Sequence, residues 1–301
     1  MVDLKLKLPD GFLEEEERCG YLVSRKMKEI WAVELDLFAE FDRVCRKYGI
    51  TYFASSGTML GAVRHHGFIP WDDDMDVMMM RDEYIRLCNV AEKEFKYPYF
   101  FQTEYTDRGS LRGHAQLRNS STTAILSGER SQKYKFNQGI FFDIFPLDVV
   151  PADVKEREQF IAEVKRKREI CWKIANITKR YQASKNPIKR PVKYLLHSVC
   201  SLFCDYINDY RDFENTCQRY NKTNSDLISW VSFLPDETKL RKRAYFQDSI
   251  ELPFEFLKIP VCKNFDQALT DRFGDWHEFV KGASLHGSTL FDTEKSYKAY
   301  L

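Results

Sequence analysis

The sequence predicts a mixed α/β fold, in which helices cover an α+β mixed sheet and a helical sub-domain is attached. Three observations support this prediction. Apolar residues recur at helical spacing near the N-terminus, short β-rich runs alternate with glycine turns, and the chain becomes rich in lysine and arginine with a helical pattern from about residue 152.

Composition limits the classes of protein to consider. The chain is 44% hydrophobic and 15% aromatic, which excludes a disordered protein. A net charge of +1 creates no overall field for nucleic acid, so we expect no nucleic-acid partner. The N-terminal residues lack an apolar signal core, which predicts a cytoplasmic location. Eight cysteines without a CxxC pair predict reduced thiols.

The first third of the chain predicts alternating helices and short strands. Residues 21–48 carry one apolar helical stripe, and Gly49 predicts the end of that helix. A β-rich run follows at 50–54, and helical composition resumes at 57–63. Val77–Met80 predicts a buried strand.

Later elements are predicted by the same patterns. Asp82 is the expected cap of a helix that runs to about Phe95. Further strands are expected at 99–103, 115–118, 139–145 and within 227–233, with one more helix at 265–273.

Domain organisation follows from the change in composition. We expect a catalytic core over residues 1–151, a helical sub-domain over 152–225 and a C-terminal segment over 226–301 that completes the core.

Four carboxylates stand directly before the Val77 strand, at positions 72, 73, 74 and 76. In an extended chain, Asp74 and Asp76 point to the same face. A third acid, Asp143, interrupts the apolar run FFDIF, where an unpaired charge is costly to bury. If the two strands are neighbours, these carboxylates converge, and oxygen ligands of this kind suit Mg²⁺ or Mn²⁺.

A calcium-binding loop is the alternative for this cluster, because Asp72, Asp74, Asp76 and Glu83 match its ligand spacing. That loop requires glycine at its sixth position, where this chain has Val77. The mismatch disfavours calcium.

A phosphate-binding turn is predicted at Ser56, Gly57 and Thr58, which lie between a strand and the start of a helix. Together with the DxD pair and the later acid, this turn has the layout of a nucleotidyltransferase: a turn for phosphates, paired acids for a metal ion, and a third acid for metal or general base.

The run GTMLGAVRHHGFIPWDDDMDV, with GIFFDIFPLD downstream, resembles the LicD family, which includes bacterial phosphorylcholine transferases and is related to the fukutin-type transferases. The resemblance implies a nucleotidyltransferase-type fold and transfer of phosphocholine or a related phospho-alcohol from a CDP-activated donor. The implied acceptor is a hydroxyl of a surface glycan or its lipid-linked precursor, such as teichoic acid, lipopolysaccharide or capsule.

The same resemblance assigns roles to individual residues. Asp74, Asp76 and Asp143 become the metal and catalytic residues, and Gly57 and Thr58 form the donor-phosphate turn. Arg64 and Arg118 are candidates to clamp phosphate oxygens, with a structural ion pair as the alternative for each.

The segment from Lys185 to Lys193 leads into the apolar run YLLHSVCSLFCDYI. Two interpretations remain open for it: a peripheral contact with the membrane surface, or an ordinary buried helix of the sub-domain. Two alternative functions also remain: a DxD glycosyltransferase that uses a nucleotide-sugar, and a non-catalytic scaffold that binds metal or glycan.

Overall fold

The structure is a computed structural model that describes most of the chain. The described residues are 1–130, 132, 134–178, 186, 188–203, 205–233, 235–236, 239–280, 282 and 288–301.

Seven helices lie within these ranges. They are α1 (Arg25–Tyr48), α2 (Ser56–Arg64), α3 (Arg81–Glu94), α4 (Val154–Thr178), α5 (Lys189–Phe203), α6 (Ile207–Cys217) and α7 (Phe265–Phe273).

Thirteen strands lie within the same ranges. They are β1 (Glu16–Arg18), β2 (Tyr21–Val23), β3 (Phe53–Ala54), β4 (Asp76–Met80), β5 (Tyr99–Gln102), β6 (Ala115–Asn119), β7 (Thr123–Ile125), β8 (Ile140–Val149), β9 (Leu227–Ser229), β10 (Arg241–Lys242), β11 (Ser249–Phe254), β12 (Leu257–Cys262) and β13 (Leu290–Asp292).

Seven of these strands form a mixed sheet around β8. The order runs β10-β9-β8-β4-β3, and β6 also pairs with β8 and carries β5 at its other edge. Strands β4 and β8 are parallel, whereas the other pairs in the sheet are antiparallel. A mixed sheet with helices confirms the predicted α+β fold class.

The two faces of β8 have different environments, because successive side chains point to opposite sides of a strand. Phe142 packs edge-on against Phe38 and Phe41 of α1. Asp143 points the other way, toward polar side chains of β6. Helix α1 therefore covers one face and leaves the other for the acids.

Buried apolar residues form two clusters. The larger one surrounds the sheet and includes residues of α1, β4, β8 and the C-terminal strands. The smaller one is built mainly from α4 and α6, around Phe160, Tyr206 and Phe213. The lysine-rich and arginine-rich segment after residue 152 therefore has an apolar core of its own.

Several element boundaries differ from the sequence prediction. Helix α3 begins at Arg81 with Met80 as its cap residue, so the predicted Asp82 cap is wrong and Asp82 lies in the first turn. The predicted strand at 50–54 is reduced to Phe53–Ala54. Gly49 does end α1 in a left-handed conformation, as predicted.

None of the helices within the described ranges is long and apolar enough to cross a bilayer.

Candidate active site

The acidic loop brings three carboxylates into one small volume. Oxygen atoms of Asp72, Asp73 and Asp74 all lie within 4.8 Å of one another. The loop is held in place by Trp31 of α1, whose indole N–H donates to the Asp72 carbonyl at 2.8 Å. A single divalent cation can bind to two or more carboxylates at such spacing.

Asp76 and Asp143 lie side by side on neighbouring strands. They are direct partners in the parallel β4–β8 pair, so their side chains share a face of the sheet. Burial raises the pKa of Asp76 well above its usual range, and the charges of Asp74, Asp143 and Asp72 raise it further. Asp72, Asp73, Asp74, Asp76 and Asp143 together are called the acidic centre. This centre favours a positive charge among its carboxylates.

Asp143 is oriented by Gln116 of β6 and by His114, which directly precedes that strand. Gln116 donates from Nε2 to Asp143 Oδ1 at 2.5 Å. His114 Nε2 lies 3.1 Å from the same oxygen, and its Nδ1 lies 3.1 Å from the Arg112 carbonyl. Since a carbonyl only accepts, the Nδ1 N–H donates to Arg112, which directs Nε2 toward Asp143.

The start of α2 lies against the same acids. The Thr58 hydroxyl accepts a hydrogen bond from the Asp76 backbone N–H at 2.8 Å, and the Ser55 N–H donates to the Asp76 carbonyl at 3.0 Å. At Gly57 a Cβ atom would lie only 2.8 Å from Asp72 Oδ2, so the absence of a side chain permits this approach. Ser56 has a positive φ of 42°.

Several buried oxygen atoms around this turn have no hydrogen-bond partner within the described part of the chain. They are the hydroxyls of Ser55 and Ser56, Oδ1 of Asp76 and Oε2 of Glu34. Buried polar atoms are normally paired, so unpaired ones are consistent with binding of an ion, a water molecule or a ligand at this turn. Carboxylate and hydroxyl oxygens next to a helix N-terminus fit a divalent cation and phosphate oxygens.

The predicted arginines have other partners. Arg64 lies at the end of α2, where it donates to the carbonyls of Trp276 and Glu278 at 3.1 and 3.3 Å. Arg118 is 1% exposed and donates to Gln102, to the Gly139 carbonyl and to Gln116. Their roles as phosphate clamps remain predictions.

Arg118 also determines how Gln116 is oriented. The guanidinium can only donate, so it holds the amide oxygen of Gln116 and turns the amide N–H₂ toward Asp143. Burial and the nearby Arg112 charge lower the pKa of Arg118 to about 9.

Sequence reasoning missed three residues of this site. His114 and Gln116 alternate with apolar residues in a strand, which is the pattern of polar side chains on one face. Glu34 is a charge within a mostly apolar stretch of α1 and is 1% exposed. Burial raises its pKa well above the usual range, and Asp74, Asp73, Asp72 and Asp76 add to the shift.

Comparison with known proteins gives two independent matches. The family profile described as LicD/FKTN/FKRP, nucleotidyltransferase domain, matches residues 49–171, which include the acidic loop, α2 and β8. The chain is also 30% identical over 263 residues to the lipopolysaccharide cholinephosphotransferase LicD of Haemophilus influenzae, covering 83% of this chain and 91% of that protein.

Two shorter matches are to uncharacterized proteins. One from Rickettsia prowazekii is 37% identical over 95 residues, covering 31% of this chain and 32% of the relative. One from Rickettsia typhi is 45% identical over 69 residues, covering 23% and 20%. The long match to LicD and the profile match at the acidic centre establish that this chain belongs to the LicD family of transferases.

Proposed function

We propose that this chain transfers phosphocholine, or a related phospho-alcohol, from a CDP-activated donor to a hydroxyl of a glycan of the lipopolysaccharide type, with release of CMP. The observation that carries the proposal is the pairing of Asp76 with Asp143 beside the start of α2. The similarity to the H. influenzae cholinephosphotransferase suggests the reaction class and makes CDP-choline the first donor to test.

The donor diphosphate and a cation would occupy the acidic centre. Asp74, Asp76 and Asp143 would hold Mg²⁺ or Mn²⁺, and the unpaired Asp76 Oδ1 supports this assignment. When bound, the cation neutralises charge on the diphosphate and on the departing CMP. Ser56, Gly57 and Thr58 would receive phosphate oxygens at the helix N-terminus.

Asp143 is the group best placed to accept a proton. The acceptor oxygen would attack the phosphorus that carries the alcohol, the bond from that phosphorus to the bridging oxygen would break, and CMP would leave with the bonding electrons. The hydroxyl proton would pass to the Asp143 carboxylate, which His114 and Gln116 hold at Oδ1.

The domain division also belongs to this proposal. Helices α4 and α6 have their own apolar cluster, which supports a helical sub-domain over 152–225 beside a core formed by 1–151 and 226–301. We assign further acceptor contacts to this sub-domain, because the acidic centre supplies groups for the donor phosphates and for the reacting hydroxyl only.

Helix α5 supports a peripheral membrane contact. Its apolar side chains Val192, Leu195, Leu196 and Val199 recur at helical spacing and are 68%, 64%, 54% and 46% exposed. Residues 185 and 187, part of the basic stretch before this helix, lie outside the described residues. Cosedimentation with anionic vesicles tests the contact, and Leu195→Glu with Leu196→Glu should abolish it; retention of binding by this double variant would contradict it.

The decisive test of the reaction is CMP release from a panel of CDP-alcohols and nucleotide-sugars with Mg²⁺ or Mn²⁺. Wild type should release CMP from CDP-choline, and Asp76→Asn should reduce release to background while the protein remains folded. The matched control is Asp271→Asn, which changes a carboxylate on α7 far from the centre along the chain.

Each of the other outcomes contradicts the proposal in a specific way. Turnover of a nucleotide-sugar with release of a nucleoside diphosphate would identify a glycosyltransferase. Absence of turnover and of cation-dependent nucleotide binding in folded protein with a lipopolysaccharide acceptor present would identify a scaffold.

A further inference from the structure

A second cavity lies on the face of the sheet that the acidic centre does not use. It has a volume of about 630 Å³ and is lined by α3, β5, the loop after β5 and α6. Arg81 in its wall binds Asp148, and Asp148 lies five positions after Asp143 on β8, so the two aspartates point to opposite faces. Arg81 comes directly after β4, so it lies about 16 Å from Asp76 along the strand direction.

Tyrosine rings form much of the wall of this cavity. Tyr105 and Tyr210 meet nearly at right angles, with ring centroids 5.7 Å apart and an interplanar angle of 79°. Tyr84 lies on the α3 side. Tyr105 is 44% exposed, which places it at the mouth, whereas Tyr84 and Tyr210 are buried. The faces of aromatic rings attract cations, and proteins use clusters of such rings to bind quaternary ammonium groups.

The charge of the wall is negative. The Arg81 guanidinium is neutralised by two hydrogen bonds to Asp148, at 2.9 and 2.5 Å. Glu214 lies 3.9 Å from Arg81 and accepts from the Tyr105 hydroxyl at 2.5 Å. Glu104 accepts from neutral donors, including the N–H groups of Gly109 and Leu111. The excess of carboxylates therefore attracts a cation.

A smaller basic cavity of about 260 Å³ adjoins this one. The two share Arg81, Ile85 and Gln218 in their walls. The smaller cavity adds two exposed basic residues, Lys222 and Arg243, and one carboxylate, Asp82. A cation site next to a basic site suits one zwitterionic ligand.

We propose that these joined cavities bind a phosphocholine group, with the trimethylammonium against Tyr105, Tyr210 and Glu214 and the phosphate at Lys222 and Arg243. The inference rests on the proposed function for the identity of the group, and it assigns the site to recognition of phosphocholine that is already attached to a glycan or lipid. A site of this kind would retain a modified acceptor at a distance from the acidic centre.

The test is calorimetric titration with phosphocholine, choline chloride and inorganic phosphate in the presence of EDTA. Wild type and Asp76→Asn should bind phosphocholine equally, because the site is separate from the acidic centre. Tyr105→Ala and Glu214→Gln should each weaken binding by about tenfold. Tyr105→Phe, which keeps the ring, should bind nearly as wild type.

Two further comparisons make the test specific. Lys222→Ala with Arg243→Ala should weaken binding of phosphocholine and leave choline binding unchanged. The matched control is Tyr97→Ala, which removes a tyrosine that is 78% exposed and does not line the cavity. Retention on phosphatidylcholine vesicles would identify a lipid headgroup as the source, and retention of a phosphocholine-bearing saccharide would identify the glycan.

Two outcomes would overturn the inference and leave the proposed function intact. One is phosphocholine binding that Asp76→Asn abolishes and the tyrosine variants do not change, which would place the group in the acidic centre. The other is absence of saturable binding in EDTA. Conversely, binding at the tyrosine cavity without turnover of CDP-choline would support the inference while the proposed function fails.

Discussion

Single side chains in the acidic centre are arranged for a ligand at a cost to stability. Asp76 lies among Asp72, Asp74 and Asp143, and its Oδ1 has no partner within the described residues. Glu34 adds a further buried carboxylate beside the same group. Like charges in a buried place repel each other, so these carboxylates lower the stability of the protein in the absence of a bound cation.

The first prediction concerns this repulsion. The pKa of Asp76 is higher in the folded protein than in the unfolded chain, so between these two values the folded state binds more protons and stability falls as pH rises. In EDTA, Asp76→Asn should reduce this slope and raise the melting temperature at neutral pH by about 2 °C or more. Thermal unfolding measured between pH 4 and pH 8 checks it.

Addition of Mn²⁺ provides the control for the first prediction. The cation should stabilise wild type and have a much smaller effect on Asp76→Asn. A variant that is less stable than wild type in EDTA at neutral pH would show that Asp76 contributes favourable interactions, contrary to the argument.

The second prediction concerns the positioning of Asp143. Gln116→Leu keeps the side-chain shape, removes the 2.5 Å hydrogen bond to Asp143 and leaves Arg118 without one acceptor. We expect kcat to fall by about 10- to 100-fold with little change in donor KM. Steady-state kinetics and the pH profile of kcat measure it, with the exposed Gln247→Leu as the matched control. A rise in the donor KM of about 10- to 100-fold, with kcat unchanged, would instead assign Gln116 to donor binding.

The acidic residues of this site are easier to predict from the sequence than the residues that orient them. Strand alternation and the cost of burying a lone charge single out Asp74, Asp76 and Asp143 without a structure. His114 and Gln116 acquire a partner only through the β6–β8 register, which connects distant positions and is not encoded in local patterns.

At the scale of elements, the backbone at the start of α2 determines how closely this helix approaches the acidic centre. The helix approaches the acidic loop closely because Gly57 has no side chain, and the Thr58 hydroxyl attaches the helix to the first residue of β4.

The third prediction tests this close approach. In Gly57→Ala the new methyl group would displace the Asp72 carboxylate, so we expect cation affinity and turnover to fall by about tenfold or more. Alanine favours helix over glycine by about 1 kcal/mol, so thermal stability should be unchanged or higher. Mn²⁺ titration and thermal unfolding measure the two effects separately.

Gly128→Ala is the matched control for this prediction, because a Cβ atom there has nothing within 4 Å among the described residues. Wild-type turnover in Gly57→Ala would contradict this prediction. It would show that Asp72 can move without loss of activity.

Elements with a strong local signal were predictable, including the short strands β5 and β6, whereas one hairpin was not. Helix α7 and strand β8 lie close to their predicted positions. The hairpin of β11 and β12 was not predicted, and each strand contains a proline, which disfavours a strand on local grounds. Pairing between neighbours overrides that preference.

For the whole molecule, one buried ion pair connects the sheet to the helical layer. Arg81, at the end of β4, binds Asp148 of β8, and Asp148 also accepts from Asn221 after α6. Arg81 further faces Glu214 of α6. Both members of the pair are almost fully buried, so their charges depend on each other.

The fourth prediction follows from this pair. Arg81→Met should lower the free energy of unfolding by about 3 to 5 kcal/mol, because it removes the partner of the buried Asp148 carboxylate. The exposed Arg86→Met should change stability by no more than about 0.5 kcal/mol. Urea unfolding gives both values, and equal effects of the two substitutions would show that the pair is not a major determinant of stability.

The parallel pairing of β4 and β8 has a consequence for the newly synthesised chain. Asp76 and Asp143 become neighbours only after α3, β5 and β6 have been made and the chain has returned to the sheet. Contacts between distant positions form slowly compared with local helices and hairpins. A partly folded chain can therefore contain a complete α1 and the acidic loop while Asp143 is not yet beside Asp76. The full set of acids is therefore assembled only once this part of the sheet has folded.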